Sequence, residues 1–281
     1  MSLPALVPVL REVQHHLALQ AEVSDQELLR RFVEHQEEAA FATLVGRHGG
    51  MVVGVCHRIL GEVHDVEDAF QATFLVLARR ARSLRNGQAL ACWLHEVAYH
   101  IALKARARHS RERAIPSPRS EVDPADPVAE ASQGEVRLLV EEELRALPEK
   151  YQAPLILCYL EGKTHEQAAR ELGCPLGSMS WRLHKGRELL RTRLQRLGLS
   201  PSLALMGQAD WLPAHHSLSP ALVRTTTQTA MRSIPIPEGV RVLADGVIKE
   251  MMMPRSMLAL VLLLSSALVL GGLGLLSLPA Q

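Results

Sequence analysis

Aromatic side chains make up only 4% of these 281 residues, and there are only four cysteines. Cys56, Cys92, Cys158 and Cys174 stand far apart with no C-x-x-C pair, so neither a disulfide framework nor a zinc site is indicated, and buried free thiols are expected. No run alternates apolar and polar residues with the period of two that a half-buried strand requires. The first ten residues are apolar, but Pro4 and Pro8 interrupt them and no basic leader precedes them, which argues against a signal peptide. A dominant charge sign is also lacking, since the formal net charge is +1. That balance hides segregation: nine Lys and Arg lie between Arg79 and Arg113 against Glu96 and Glu112, whereas residues 121–149 are dominated by acids.

The periodicity that is present is helical. Val66, Phe70, Phe74 and Leu77 recur at helical spacing, with Asp65, Glu67 and Asp68 at the amino end and Arg79, Arg80 and Arg82 at the other, the polarity a helix dipole favours. Residues 89–113 read as another helix with Trp93, Leu94, Val97 and Ile101 inward, and residues 24–47 as two short helices. Gly49-Gly50 is expected to interrupt before residues 51–60 continue. The expected organisation is an amino-terminal extension (1–23), a helical bundle (24–113), a flexible acidic and proline-bearing linker (114–134), a second helical domain (135–198), and a low-charge extension (199–256). Within that extension residues 240–253 read as an amphipathic helix beside a membrane. Residues 257–278 form a run of 22 without a charge, which at ~1.5 Å per residue spans a ~30 Å hydrocarbon core. Lys249 and Arg255 on its amino side place the body of a single-pass protein on the cytoplasmic face of the membrane, with its amino terminus in the cytoplasm. The fold class is therefore all-α: two small helical domains, a flexible linker and a carboxyl-terminal transmembrane helix.

Residues 163–197 read as helix, tight turn, helix. Thr164 and Gln167 have the spacing of a capping box, and Gly173-Cys174-Pro175 breaks the first helix. In the second, Met179, Leu183, Gly186 and Leu190 form one narrow apolar stripe that can pack on Ala168, Ala169 and Leu172. Its other side carries Ser178, Trp181, His184, Lys185 and Glu188. Donors and cations on such a face suit a major groove, where base edges are read by side-chain hydrogen bonds and phosphates by Arg and Lys. A helical hairpin with a solvated basic face is the plainer alternative.

The run from Asp65 through Asp68, Gln71 and Phe74 resembles the core-polymerase-binding helix of extracytoplasmic-function sigma factors, whose pattern is D-x-x-D-x-x-Q-x-x-F. Trp93-Leu94 before a basic helix resembles the family's promoter-melting segment. Leu147-Pro148, Gly162, Glu166, Ala168, Leu172-Gly173, Gly177 and Arg182 resemble its second domain, so the likeness covers about residues 24–197 in the family's order. It implies a group-IV sigma factor that binds core RNA polymerase and directs initiation at promoters with -35 and -10 elements, without itself being an enzyme and without a cofactor or metal. It implies that Asp65, Asp68, Gln71 and the Phe74 face dock on polymerase, with both carboxylates exposed. Arg85, Asn86, Trp93, His100, Lys104, Arg106 and Arg108 would meet the -10 strand, and Ser178, Ser180, Trp181, Arg182, His184, Lys185 and Arg187 the -35 element. Ala72 stands where the family often has an acid, His100 where it usually has Asn, and Trp181 where it has a small residue. Trp181 would stack on the DNA edge, meet a thymine methyl, or pack against protein. An anti-sigma partner is left open.

His95-Glu96-Val97-Ala98-Tyr99-His100 resembles the zinc-protease H-E-x-x-H but has one residue too many, so its histidines lie ~140° apart on a helix and would not share a metal. Two rivals are a membrane-tethered helix-turn-helix regulator that is not a polymerase subunit, and an interaction protein that works through its extension. The helix beginning at Asp65 argues against the first.

Overall fold

The computed structural model describes residues 23–84, 89–113, 127–199 and 218–252, which contain ten α-helices and no strand. The first bundle comprises α1 (Asp25–His35), α2 (Glu38–Leu60), α3 (Val63–Arg80) and α4 (Leu90–Arg113), with a single 3-10 turn, Ala81–Ser83, after α3. Ser24 caps α1 by accepting from the Glu27 amide, and Gln36 ends it in the left-handed region at φ 51°. All four phenylalanines meet in one cluster: the Phe32 and Phe41 rings lie 4.7 Å apart, Phe70 and Phe74 4.9 Å, and Phe41 meets Phe74 edge-on at 6.4 Å. A chain short of aromatics thus concentrates them where edge-to-face packing adds to area burial.

The central α2 runs unbroken through Gly49-Gly50, contrary to the expected interruption. Tertiary burial outweighs the helix propensity lost at glycine, and Gly49 leaves room for close packing, since a Cβ there would stand 3.3 Å from the Phe70 ring. Among the described residues, α2 is the one helix long and apolar enough to cross a membrane by length and composition, and its apolar side chains fill the bundle centre.

The second domain comprises α5 (Pro127–Arg145), α6 (Glu149–Leu155), α7 (His165–Glu171) and α8 (Leu176–Arg196). Helix α5 begins inside the stretch read as linker, with Pro127 at the first position, where a missing N–H is tolerated. After Pro154, α6 continues as one π turn, Ile156–Leu160.

The two domains pack against each other. Arg58 of α2 donates from Nε to Glu141 Oε1 of α5 at 2.5 Å, and His95 of α4 meets Glu141 Oε2 at 3.1 Å, all three side chains being buried. Burial alone would raise the Glu141 pKa, but Arg58 and His95 outweigh it and hold it at about 2. Arg145 donates to both oxygens of Glu96 and lies 4.0 Å over the Tyr99 ring.

Two further helices follow, α9 (Pro220–Ala230) and α10 (Glu238–Met252). The charge-poor stretch before residue 237 therefore contains a packed helix. The helix read as lying beside a membrane is present, but its apolar face, Val240, Leu243, Ala244 and Val247, is buried against α3 and α4. Residues 257–278 lie outside the described residues, as do 1–22 and 114–126.

Candidate nucleic-acid interface

Helix α7 starts where Thr164 and Gln167 satisfy each other's orphan amides: Gln167 N–H donates to Thr164 Oγ1 at 3.2 Å and Thr164 N–H to Gln167 Oε1 at 2.8 Å. The turn needs Gly173, which sits in the left-handed region at φ 58°, and the Cys174 amide closes onto Ala169 O at 3.0 Å. In α8 the stripe Met179, Leu183, Gly186 and Leu190 is buried as expected, with Leu194 extending it. It packs on α7, where Ala168 and Ala169 are buried, and also on α6. Gly186 marks that second contact: a Cβ there would stand 2.9 Å from the Tyr151 carbonyl oxygen.

The opposite side of α8 is open to solvent. Ser180, Trp181, His184 and Arg187 are exposed, while Ser178, Arg182 and Lys185 are half-buried. Trp181 is 56% exposed, and its ring leans on Tyr151 at 5.9 Å, so it packs on protein and still presents an aromatic face outward. Lys185 pairs with Glu188 one turn on at 2.9 Å, and Arg187 donates to the Tyr159 hydroxyl at 3.2 Å. A solvated i, i+3 pair such as Lys185–Glu188 holds weakly and leaves the cation available to a phosphate or a base. The outward face of α8 is thus preformed.

On α3 the expected docking residues are less open than their pattern suggested. Asp65 and Asp68 are half-buried rather than exposed, with Asp65 Oδ1 2.9 Å from His109 Nε2 of α4. Burial raises the Asp68 pKa, which Arg108 opposes and Asp65 and Glu67 reinforce. Phe74 is fully buried in the aromatic cluster and offers no face to a partner, because the same side of α3 that would present it forms the bundle core. Gln71 is half-buried.

Along α4, Trp93 is buried, His100 bonds Glu96 at 2.9 Å beside Arg145, Lys104 pairs with Glu250 of α10, and Arg108 lies by Asp68. Arg106 is half-buried. Arg85 and Asn86 lie outside the described residues. His95 faces Glu141 and His100 faces Glu96, and among the described residues no group of His, Cys, Asp and Glu could hold a metal. Burial pushes the Cys56 and Cys92 thiols up to about 12 and raises the Cys158 thiol as well.

Sequence reasoning missed a buried group that ties the two domains together. His48 of α2 is buried between Glu161, 2.9 Å from Nδ1, and Asp25, 3.0 Å from Nε2. Burial opposes its charge, but Glu161 and Asp25 outweigh it and raise its pKa to about 9. No local pattern announces a histidine whose partner is 113 positions away.

Residues 44–112 match sigma-70 region 2, and residues 137–190 match sigma-70 region 4. The chain is 32% identical over 157 residues to an ECF RNA polymerase sigma factor, SigE, of Mycolicibacterium smegmatis, an alignment covering 54% of this chain and 61% of that protein. It is 28% identical over 187 residues to the ECF RNA polymerase sigma-E factor of Haemophilus influenzae, covering 63% and 98%. With the ECF RNA polymerase sigma factor SigW of Bacillus subtilis it shares 23% identity over 179 residues, covering 59% and 94%.

Proposed function

The chain belongs to the sigma-70 family, of the extracytoplasmic-function type, and on that premise we propose a division of labour among its helices. It is a sigma factor that directs RNA polymerase to promoters. Helix α8 enters the major groove at the -35 element, where Ser178, Ser180, Trp181, His184 and Lys185 meet base edges and Arg182 and Arg187 position the helix on phosphates. The basic half of α4, with Lys104, Arg106 and Arg108, together with Arg85 and Asn86, holds the opened -10 strand, a task that needs cations along the backbone and a pocket for an unstacked base. Trp93 is buried in the bundle core, and His100 is held by Glu96. Asp65, Asp68 and Gln71 meet core polymerase, where carboxylates suit charge-assisted pairing with Arg. Phe74 shapes α3 from within. Residues 257–278 anchor the protein to the cytoplasmic face of the membrane, a reading supported by the uncharged run and by Lys249 and Arg255 before it.

The observation that carries this reading is the preformed, solvent-facing side of α8 on a capped helix-turn-helix, in a chain whose preceding bundle matches region 2. The test is transcription by core polymerase supplemented with the full-length chain on fragmented genomic DNA. Discrete starts sharing a pair of upstream elements at fixed spacing are expected. Starts identical to those of core enzyme alone would favour an operator-binding regulator instead.

A further inference from the structure

Helices α9 and α10 lie outside both matched regions, and the Haemophilus alignment uses 98% of that relative while covering only 63% of this chain. The family's two domains are thus complete without them. Helix α10 nevertheless lies on the first bundle rather than in solvent. Val240, Leu243, Ala244 and Val247, at i, i+3, i+4 and i+7, form a buried seam on α3 and α4. Opposite charges flank it: Arg79 of α3 donates to Asp245, and Lys104 of α4 to Glu250. Two glycines set the close approach, since a Cβ on Gly239 would stand 2.9 Å from Asp68 Oδ2 and one on Gly246 3.0 Å from Lys104 Nζ. Helix α9 extends the cover across α2 and α3, and Leu218 just before it occupies the space that a Cβ on Gly49 would need.

The covered face carries Asp68, Lys104 and Arg108. We infer that α9 and α10 are a built-in cover that competes with core polymerase for the α3–α4 face, so that the conformation described is closed. The inference rests on the assignment of α3 to polymerase docking made above. Lys104 does not serve Glu250 and a promoter phosphate at once, and Asp68 does not reach a partner while Gly239 lies against it. Asp245 and Glu250 present to the bundle's cations the charge that DNA phosphates would bring. The seam is one helix wide and its ion pairs are partly solvated, which makes it a unit that detaches without unfolding the bundle. If only the detached state binds polymerase, the apparent affinity falls by the fraction detached.

The test uses the full-length chain in mild detergent, with hydrogen exchange of residues 238–252 and equilibrium binding to core polymerase as paired readouts. Leu243→Asp with Val247→Asp breaks the seam, and Asp245→Lys with Glu250→Lys reverses its flanking charges while leaving the apolar contacts. Both variants are expected to expose α10 to exchange and to tighten polymerase binding by about tenfold or more. Arg79→Asp with Asp245→Arg restores an opposite-charge pair and should return binding to the wild-type value. Free exchange of α10 with unchanged polymerase affinity would overturn the cover while leaving the docking assignment standing. Protection surviving both variants would overturn it too, because the seam would not be what holds α10. Failure of wild type and released variants alike to bind polymerase, with helix content intact, would overturn the docking assignment and the cover together.

Discussion

At the scale of single residues, glycine and tryptophan in α8 carry the most information. Gly186 falls in the apolar stripe, which sequence spacing alone reveals, but why it is glycine rather than alanine does not follow from spacing. The reason is the Tyr151 carbonyl, 2.9 Å from where a Cβ would stand and belonging to a helix 35 positions earlier in the chain. Gly186→Ala is expected to push α6 and α8 apart and destabilise the second domain by about 1–3 kcal/mol. Gly177→Ala, with nothing within 4 Å of its Cβ, should be neutral or slightly stabilising. Thermal denaturation of the two variants separates these effects, and equal midpoints would show that the close approach does not constrain the site. Trp181 departs from the family pattern, yet it leans on Tyr151 and keeps a large outward face. Trp181→Ala should shift preference among -35 variants by ~1–3 kcal/mol if the ring meets a base, and weaken all sequences alike if it only buttresses the helix. Binding at two salt concentrations distinguishes these outcomes.

At the scale of elements, helices defined by local spacing were legible and helices held by distant partners were not. The capping box, the left-handed glycine turn and the stripe of α8 follow from residues within two turns of one another. Gly49-Gly50 read as a break because propensity is local, whereas the packing that keeps α2 continuous comes from Phe70, on another helix. The amphipathic face of α10 was legible, but an apolar stripe does not say whether lipid or protein covers it. His48 shows the same limit in a titratable group. Its neighbours from the packed elements are Asp25 of α1, Glu161 beyond the π turn, Arg47 on its own helix, and Lys163, 3.6 Å from Glu161. Its pKa is raised from 6.5 to about 9, so its contribution is fully present below pH 6.5 and is lost as pH rises through 9. Asp25 is shifted the other way: burial resists its charge, but His48, Arg47 and Lys163 outweigh that, so its contribution is lost on acidification. Between pH 6.5 and 9.5 the wild type should lose on the order of 3 kcal/mol more stability than His48→Gln, which lacks the titrating ring. Urea denaturation of both proteins across this range checks it, and parallel curves would show that His48 does not carry the charge that joins α1, α2 and the segment before α7.

At the scale of the whole molecule, two domains expected to hang on a flexible connection are joined by buried charge. Arg58, His95 and Glu141 come from α2, α4 and α5, and their separations of 83 and 46 positions put them beyond any motif. The faces of α4 and α8 proposed to meet promoter DNA are therefore fixed relative to each other in this conformation, with α9 and α10 folded back on the first bundle. Any membrane attachment then acts on a body onto which both described helices of the carboxyl-terminal extension, α9 and α10, are folded. If the run at 257–278 spans a membrane as proposed, Lys249 and Arg255 would lie at the cytoplasmic surface, where anionic headgroups favour them, and α8 and α4 would stay in the compartment that holds the chromosome. Cells expressing the full-length chain should retain it in the membrane fraction through an alkaline carbonate wash. A chain ending at Arg255 should appear in the soluble fraction and still initiate transcription with core polymerase. Full-length protein released by carbonate would show that the run is not an anchor. A soluble truncation that binds polymerase yet cannot initiate would show that residues 256–281 contribute to initiation itself, and not only to where it takes place.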